Sequence, residues 1–173
     1  MPTYTLISSN VLTTTAASVT FTAIPSTYTD LVLRISARTN ANVSNDNFRI
    51  TFNSDSGSNY SITRITGNGS TAVSNRLSNQ TSGRAGAIDG NTATSSTFGS
   101  VEIYIPNYLV SANKPYSSTA ASEQNATAAQ IDGIAGLWRN TAAITSISIE
   151  SNNLNVPTDG YIVSGSSFYL YGI

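Results

Sequence analysis

The sequence predicts an all-β fold. It reads as an antiparallel β-sandwich, jelly-roll-like, of about nine or ten short strands in one domain over residues 1–173. Three observations carry that expectation. Apolar residues recur at every second position in short runs rich in β-branched and aromatic side chains. Gly, Pro, Asn, Asp and Ser punctuate these runs as turn formers do. No stretch makes a convincing long helix, and no short repeat suggests a propeller or solenoid.

Each element follows from its own pattern. Thr5-Leu6-Ile7 opens as a short strand, and Val19-Thr20-Phe21-Thr22 alternates before Pro25. Leu31, Leu33, Ile35 and Ala37 share one parity, with Arg34, Ser36 and Arg38 on the other. Phe48, Ile50 and Phe52 alternate with Arg49, Thr51 and Asn53. The loop from Asn53 to Asn59 then reads as a hairpin connection to a less regular strand around Tyr60, Ile62 and Arg64. Val101, Ile103 and Ile105 alternate with Glu102 and Tyr104, and Pro106 ends the ladder.

The Ala-rich segment Thr119–Ile131 has helical propensity. A hairpin is preferred, with strands near Tyr116–Ala121 and Ile131–Arg139 and a turn at Glu123-Gln124-Asn125-Ala126. Ile147 and Ile149 mark another strand, and Pro157-Thr158-Asp159-Gly160 a turn before Tyr161-Ile162-Val163. The ending, Phe168 to Ile173, is apolar on both parities.

One region breaks the rhythm. From Gly67 to Thr97, 21 of 31 residues are Ser, Thr, Asn, Gln or Gly, which makes a long polar excursion. It reads either as a surface excursion holding one or two weak strands, or as a contact loop ordered by a neighbouring subunit. In the second case Arg76 and Arg84 supply hydrogen-bonding forks.

Composition narrows function. The chain has no Cys and no His, so disulfides, thiolate chemistry, Ser-His-Asp triads and His or Cys metal sites are excluded. Seven Arg and one Lys against nine acids give a net charge of −1, too neutral for a nucleic-acid protein. With 68 of 173 residues Ser, Thr or Asn, disorder has to be weighed. The 39% hydrophobic content and 15 aromatics argue instead for a packed core. No apolar run spans a bilayer, and the first residues lack the pattern of a secretory signal, so neither a membrane anchor nor glycosylation of the Asn sequons is expected.

Candidate chemistry is thin, and no catalytic, cofactor or metal residue is assigned. Asp46, Asp55, Asp89, Glu102, Glu123, Asp132, Glu150 and Asp159 include possible glycosidase pairs, but Glu102 alternates with core residues as a solvated position does. The run Asn53–Asn59 has the oxygen-rich look of a calcium loop with too few acids; a turn explains it better. Tyr104, Tyr108, Tyr116 and Trp138 are stacking candidates, with Trp138 read as a core or inter-subunit residue. If Phe168 and Leu170 face the core, then Tyr169, Tyr171 and Ile173 form an outward row, either covered by loops or used as a subunit contact.

Several stretches carry a resemblance: Ile24–Arg34, Glu102–Tyr108, Gly136–Thr141 and Gly165–Ile173. Together they resemble small virion proteins of tailed bacteriophages, cyanophages among them, over nearly the whole chain and most weakly from Gly67 to Thr97. The resemblance implies a non-enzymatic capsid decoration or cement protein with the major capsid protein as partner. It implies a jelly roll on the outer surface of the virion head, a homo-oligomer with a trimer favoured, and no cofactor, nucleic acid or membrane. Tyr104, Tyr108, Tyr169, Tyr171, Ile173, Arg76 and Arg84 are then the candidate subunit or capsid contacts. A tail or fibre component that binds a host glycan is the alternative, and a glycan depolymerase a third reading.

Overall fold

The computed structural model describes residues 3–125, 128–154 and 158–173. It contains twelve strands among these residues, more than the nine or ten expected: β1 (Thr5–Val11), β2 (Ser18–Phe21), β3 (Leu31–Ala37), β4 (Asn45–Phe52), β5 (Tyr60–Gly67), β6 (Ala72–Gln80), β7 (Gly83–Asp89), β8 (Gly99–Ile105), β9 (Lys114–Glu123), β10 (Ala129–Trp138), β11 (Ile147–Ser151) and β12 (Ser167–Gly172). They form two packed antiparallel sheets. The large sheet has the order β1-β12-β3-β8-β9-β10-β5-β6, and the small one β2-β11-β4-β7. The β-sandwich expected from alternation is therefore present. Among the described residues no helix is long and apolar enough to cross a membrane.

The buried parity of each strand matches its apolar parity. In β3 Leu33, Ile35 and Ala37 are buried while Arg34 and Ser36 are exposed. In β4 Phe48, Ile50 and Phe52 are buried, and in β8 Val101, Ile103 and Ile105. Phe168 and Leu170 of β12 face the core as their alternation requires. At one end of the core Phe52 packs against three other rings: Tyr60, Tyr116 and Trp138, with centroids 6.3, 5.8 and 5.6 Å away. Trp138 is fully buried, the core role anticipated for it.

The Ala-rich segment is a hairpin, not a helix. β9 and β10 pair in continuous register from Ala129↔Glu123 to Trp138↔Lys114. Ala and Ser at alternate inward positions of β9 let the two sheets approach closely: a Cβ at Gly86 of β7 would lie 2.2 Å from Ala120 Cβ. Tertiary pairing has overridden propensity here. Of the expected turn, Ala126 lies outside the described residues; so does Pro157 of the later turn.

Three expectations are corrected. The loop Asn53–Asn59 is not a hairpin, because β4 belongs to the small sheet and β5 to the large one. It carries the chain between layers, and its shape comes from Asp55, whose carboxylate accepts hydrogen bonds from Gly57 N (2.8 Å), Asn59 Nδ2 (2.9 Å) and Trp138 Nε1 (2.6 Å). Second, Tyr161-Ile162-Val163 makes no strand; Ile162 forms only isolated bridges to Ala16 and Thr39. Third, the polar excursion is not all surface. Its first half is the exposed strand β6, but β7 has Ala85, Ala87 and Ile88 fully buried. Small residues hid a core strand from a reading that searched for large apolar ones.

The edges of the sheets are treated unequally. Strand β7 is an edge of the small sheet, yet side chains of the large sheet cap its backbone. Tyr116 Oη accepts from Arg84 N and donates to Arg84 O, both at 3.0 Å. Ser118 Oγ donates to Ala85 O, and Asp132 Oδ2 accepts from Ala87 N at 3.0 Å. These contacts satisfy groups that an open edge would leave bare.

Candidate functional site

A tyrosine-rich patch forms on the outer face of the large sheet, at its β1-β12-β3-β8 end. Register creates it. One cross-strand row runs Ser9, Tyr169, Arg34, Glu102, Thr119, and the next runs Leu6, Tyr171, Val32, Tyr104, Ser117. Residues opposite each other on antiparallel strands share a face, so five strands, most of them distant in sequence, contribute to one surface.

Arg34 is the centre of the patch. Its Nε donates to Glu102 Oε2 at 2.8 Å. Its guanidinium lies 5.1 Å from the Tyr4 ring centroid and 5.8 Å from that of Tyr171, within cation–π range. Tyr4 and Tyr171 meet edge to face at 6.1 Å. The hydrogen bond to Glu102 raises the Arg34 pKa, so the cation persists at any physiological pH. Tyr104 donates to Asp30 Oδ2 at 2.7 Å, and Asn107 N donates to Asp30 Oδ1 at 2.8 Å. That hydrogen bond to Asp30, then partial desolvation, raises the Tyr104 hydroxyl pKa.

Val32 has outward parity yet is only 2% exposed, lying between Tyr171 and Tyr104. The patch is thus a pre-ordered mixture of apolar surface and paired charge, most of it on strands fixed on both sides (β12, β3 and β8). Beside it a shallow depression of about 330 Å³ is lined by Arg34, Ser36, Ser100, Glu102, Ser167 and Tyr169.

The structure brings together Tyr104, Tyr169, Tyr171 and, at the end of the same row, Ile173, all of them partly or well exposed. The remaining candidates are elsewhere. Tyr108 is fully buried and donates to Pro25 O, so its assignment as a surface contact is corrected. Tyr116 is likewise a core residue and offers no face for stacking on a ligand. Arg76 is exposed on β6, at the far edge of the large sheet and six strand spacings from β12, roughly 30 Å. Arg84 is half-buried on the outer face of the small sheet, opposite Arg49. Arg76 and Arg84 therefore face opposite sides of the sandwich and make no common fork.

Arg34, Tyr4 and Asp30 were missed by sequence reasoning. Alternation shows that Arg34 points outward, but only the pairing of β3 with both β12 and β8 surrounds it with Tyr169 and Glu102. Arg38 is a second omission. Its guanidinium donates to four backbone carbonyls, those of Asn91, Ala93, Thr94 and Thr97, at 2.7–3.2 Å. This cation holds the loop that follows β7.

The acidic candidates do not open onto this surface as a pair. Asp46, Asp89 and Asp132 are fully buried. Asp46 accepts from Thr39, Ser151 and Asn153 side chains, and Asp132 from Thr66, Gln130 and Ala87 N. Glu102 is the exposed partner of Arg34, as its parity suggested. Among the described residues no three acids, histidines or cysteines gather as a metal site. Comparison of the chain with protein-family models, curated proteins and solved structures gives no match.

Proposed function

We propose that this chain is a structural, non-enzymatic virion protein. It decorates the outer surface of a tailed-phage head, binds the major capsid protein and stabilises the shell. The observation that carries the reading is the tyrosine patch around Arg34. It is nearly neutral and part apolar, and its residues on β12, β3 and β8 sit on strands paired on both sides. Such a surface presents large contact area at low entropic cost, as interface tyrosines do. The resemblance of the chain to small tailed-phage virion proteins supplies the biological setting.

Strand order supports the jelly-roll part of the reading. With the hairpin strands β5, β6, β9 and β10 set aside, the sheets are β1-β12-β3-β8 and β2-β11-β4-β7. Renumbered one to eight, these are 1-8-3-6 and 2-7-4-5, the order of a jelly roll. The extra strands lengthen one sheet beyond the other.

Decoration stabilises a shell by mass action, since the ligand binds the assembled state. The test is copy number in purified particles. Hundreds of copies, with loss of heat resistance in particles lacking the protein, support decoration; a handful overturns it. Because the patch is nearly charge-balanced, occupancy should change little with salt. The depression beside Tyr169 favours one second reading, a tail or fibre component that binds a host glycan through aromatic and hydroxyl contacts. Measurable binding of host polysaccharide with few copies per particle supports that alternative.

A further inference from the structure

We propose that β6 is a self-association edge, through which two copies of this chain pair antiparallel about Asn75 and join their large sheets. The inference is independent of the decoration reading, because it concerns the purified protein alone.

The four sheet edges differ in protection. The backbone of β7 is capped by Tyr116, Ser118 and Asp132. Strand β2 has only four residues, and a register shift between Leu6 and Ser8 interrupts β1. Strand β6 has nine residues and none of these devices along Ala72–Leu77, and every residue from Ala72 to Asn79 is exposed. An open edge of this kind is a pairing template. A bulge at Ser78-Asn79, with Asn79 at φ 54°, ends the straight stretch.

Hydrogen-bond alternation fixes which groups are free. Asn68 N donates to Thr71 O at 3.1 Å at the head of the β5–β6 ladder. Counting down the register from there, Val73, Asn75 and Leu77 bond to β5. Ala72, Ser74 and Arg76 turn their N–H and C=O groups outward. A second copy must therefore pair even-numbered residues with even-numbered ones.

Among the registers this allows, side chains select one. With Asn75 opposite the partner's Asn75, Val73 lies opposite the partner's Leu77, and Leu77 opposite the partner's Val73. These are the large exposed apolar residues of the strand, at 55% and 37%. They gain apolar cross-strand contacts on the same face. Arg76, the only charge on β6, falls opposite the partner's Ser74. A shift by one step places it opposite the partner's Arg76, where like charges repel. The chosen pairing is isologous and closes at two copies, so a trimer would need another surface. Six residues a side bury less than the roughly 1,200 Å² of a stable complex, so the dimer is concentration-dependent.

A cysteine-free chain makes the test direct. At the two-fold position the Cα atoms of a non-hydrogen-bonded pair stand about 4.5 Å apart, within disulfide reach. Two copies of residue 74 stand roughly 8–9 Å apart in this register, beyond that reach. Asn75→Cys should therefore oxidise to a covalent dimer at least about ten times faster than the equally exposed Ser74→Cys. Adding Ser74→Pro to Asn75→Cys removes an outward N–H that β5 does not use. It should return cross-linking to the rate of Ser74→Cys while circular dichroism remains unchanged. Equal rates for the two single variants, absence of a disulfide dimer, or a folded Pro variant that cross-links undiminished each overturns the proposal.

Discussion

The Tyr116 hydroxyl should be worth more than any exposed tyrosine hydroxyl in this protein. Tyr116→Phe keeps the ring that packs on Gly136 and against Phe52, so packing is preserved. What is lost is the one atom that both accepts from Arg84 N and donates to Arg84 O. Two backbone groups of a sheet edge are then left without partners under a covering layer. Each such orphan costs about 1–3 kcal/mol, so the variant should lose about 2–6 kcal/mol. For a domain of this size that lowers Tm by roughly 4–24 °C. Urea unfolding with an unchanged m-value is the assay, and Tyr104→Phe is the control. Tyr104 donates to Asp30 at the surface, and its loss should cost under about 1 kcal/mol. If both variants lose the same stability, or Tyr116→Phe loses less than about 0.5 kcal/mol, the capped-edge argument fails.

Other outcomes follow from the same geometry. Gly136→Ala should destabilise by at least about 2 kcal/mol in thermal unfolding, because its Cβ would meet the Tyr116 ring at 2.0 Å. Alkaline pH should unfold the protein. Burial pushes the Tyr60 hydroxyl up to about 12 and raises Tyr116 as well, so their stabilisation is intact below about pH 10 and is lost as pH rises toward 12. Tm measured from pH 7 to 12 should be flat and then fall, and Tyr60→Phe should soften the fall. At the acid end, desolvation works to raise the Asp55 carboxyl, but hydrogen bonds from Trp138, Asn59 and Gly57 outweigh it and hold it below the usual 3.8. Its contribution is present above about pH 4 and is lost as pH falls through the lowered value, a loss that Asp55→Asn should abolish in an acid titration. On capsids, Tyr171→Ala should weaken binding at least about tenfold in a co-sedimentation assay while leaving Tm within a few degrees.

How much of this was legible differs by element. Strands with large alternating side chains, β3, β4, β8 and β12, could be read directly, because period-two burial writes itself into residue type. Strand β7 could not. Apart from Ile88 its buried apolar residues are Gly and Ala, and a Cβ at Gly86 would strike Ala120 at 2.2 Å. Close approach of two sheets looks, in sequence, like a loop. The tyrosine patch was half legible: the outward parity of Tyr169 and Tyr171 was readable, whereas Arg34 and Tyr4 as their neighbours were not.

The sequence alone therefore determined the all-β class, the inward and outward parity of most strands, and a chemistry without Cys, His or much charge. These are local properties, set by side-chain type and a two-residue repeat. Only the tertiary structure decided which strand lies beside which, and with it everything that spans strands. The Arg34 patch, the side-chain caps on β7, the crossing at Asn53–Asn59 and the bare edge at β6 all depend on pairing between residues tens of positions apart. Alternation fixes a side chain's face but carries no information about its neighbour across the sheet.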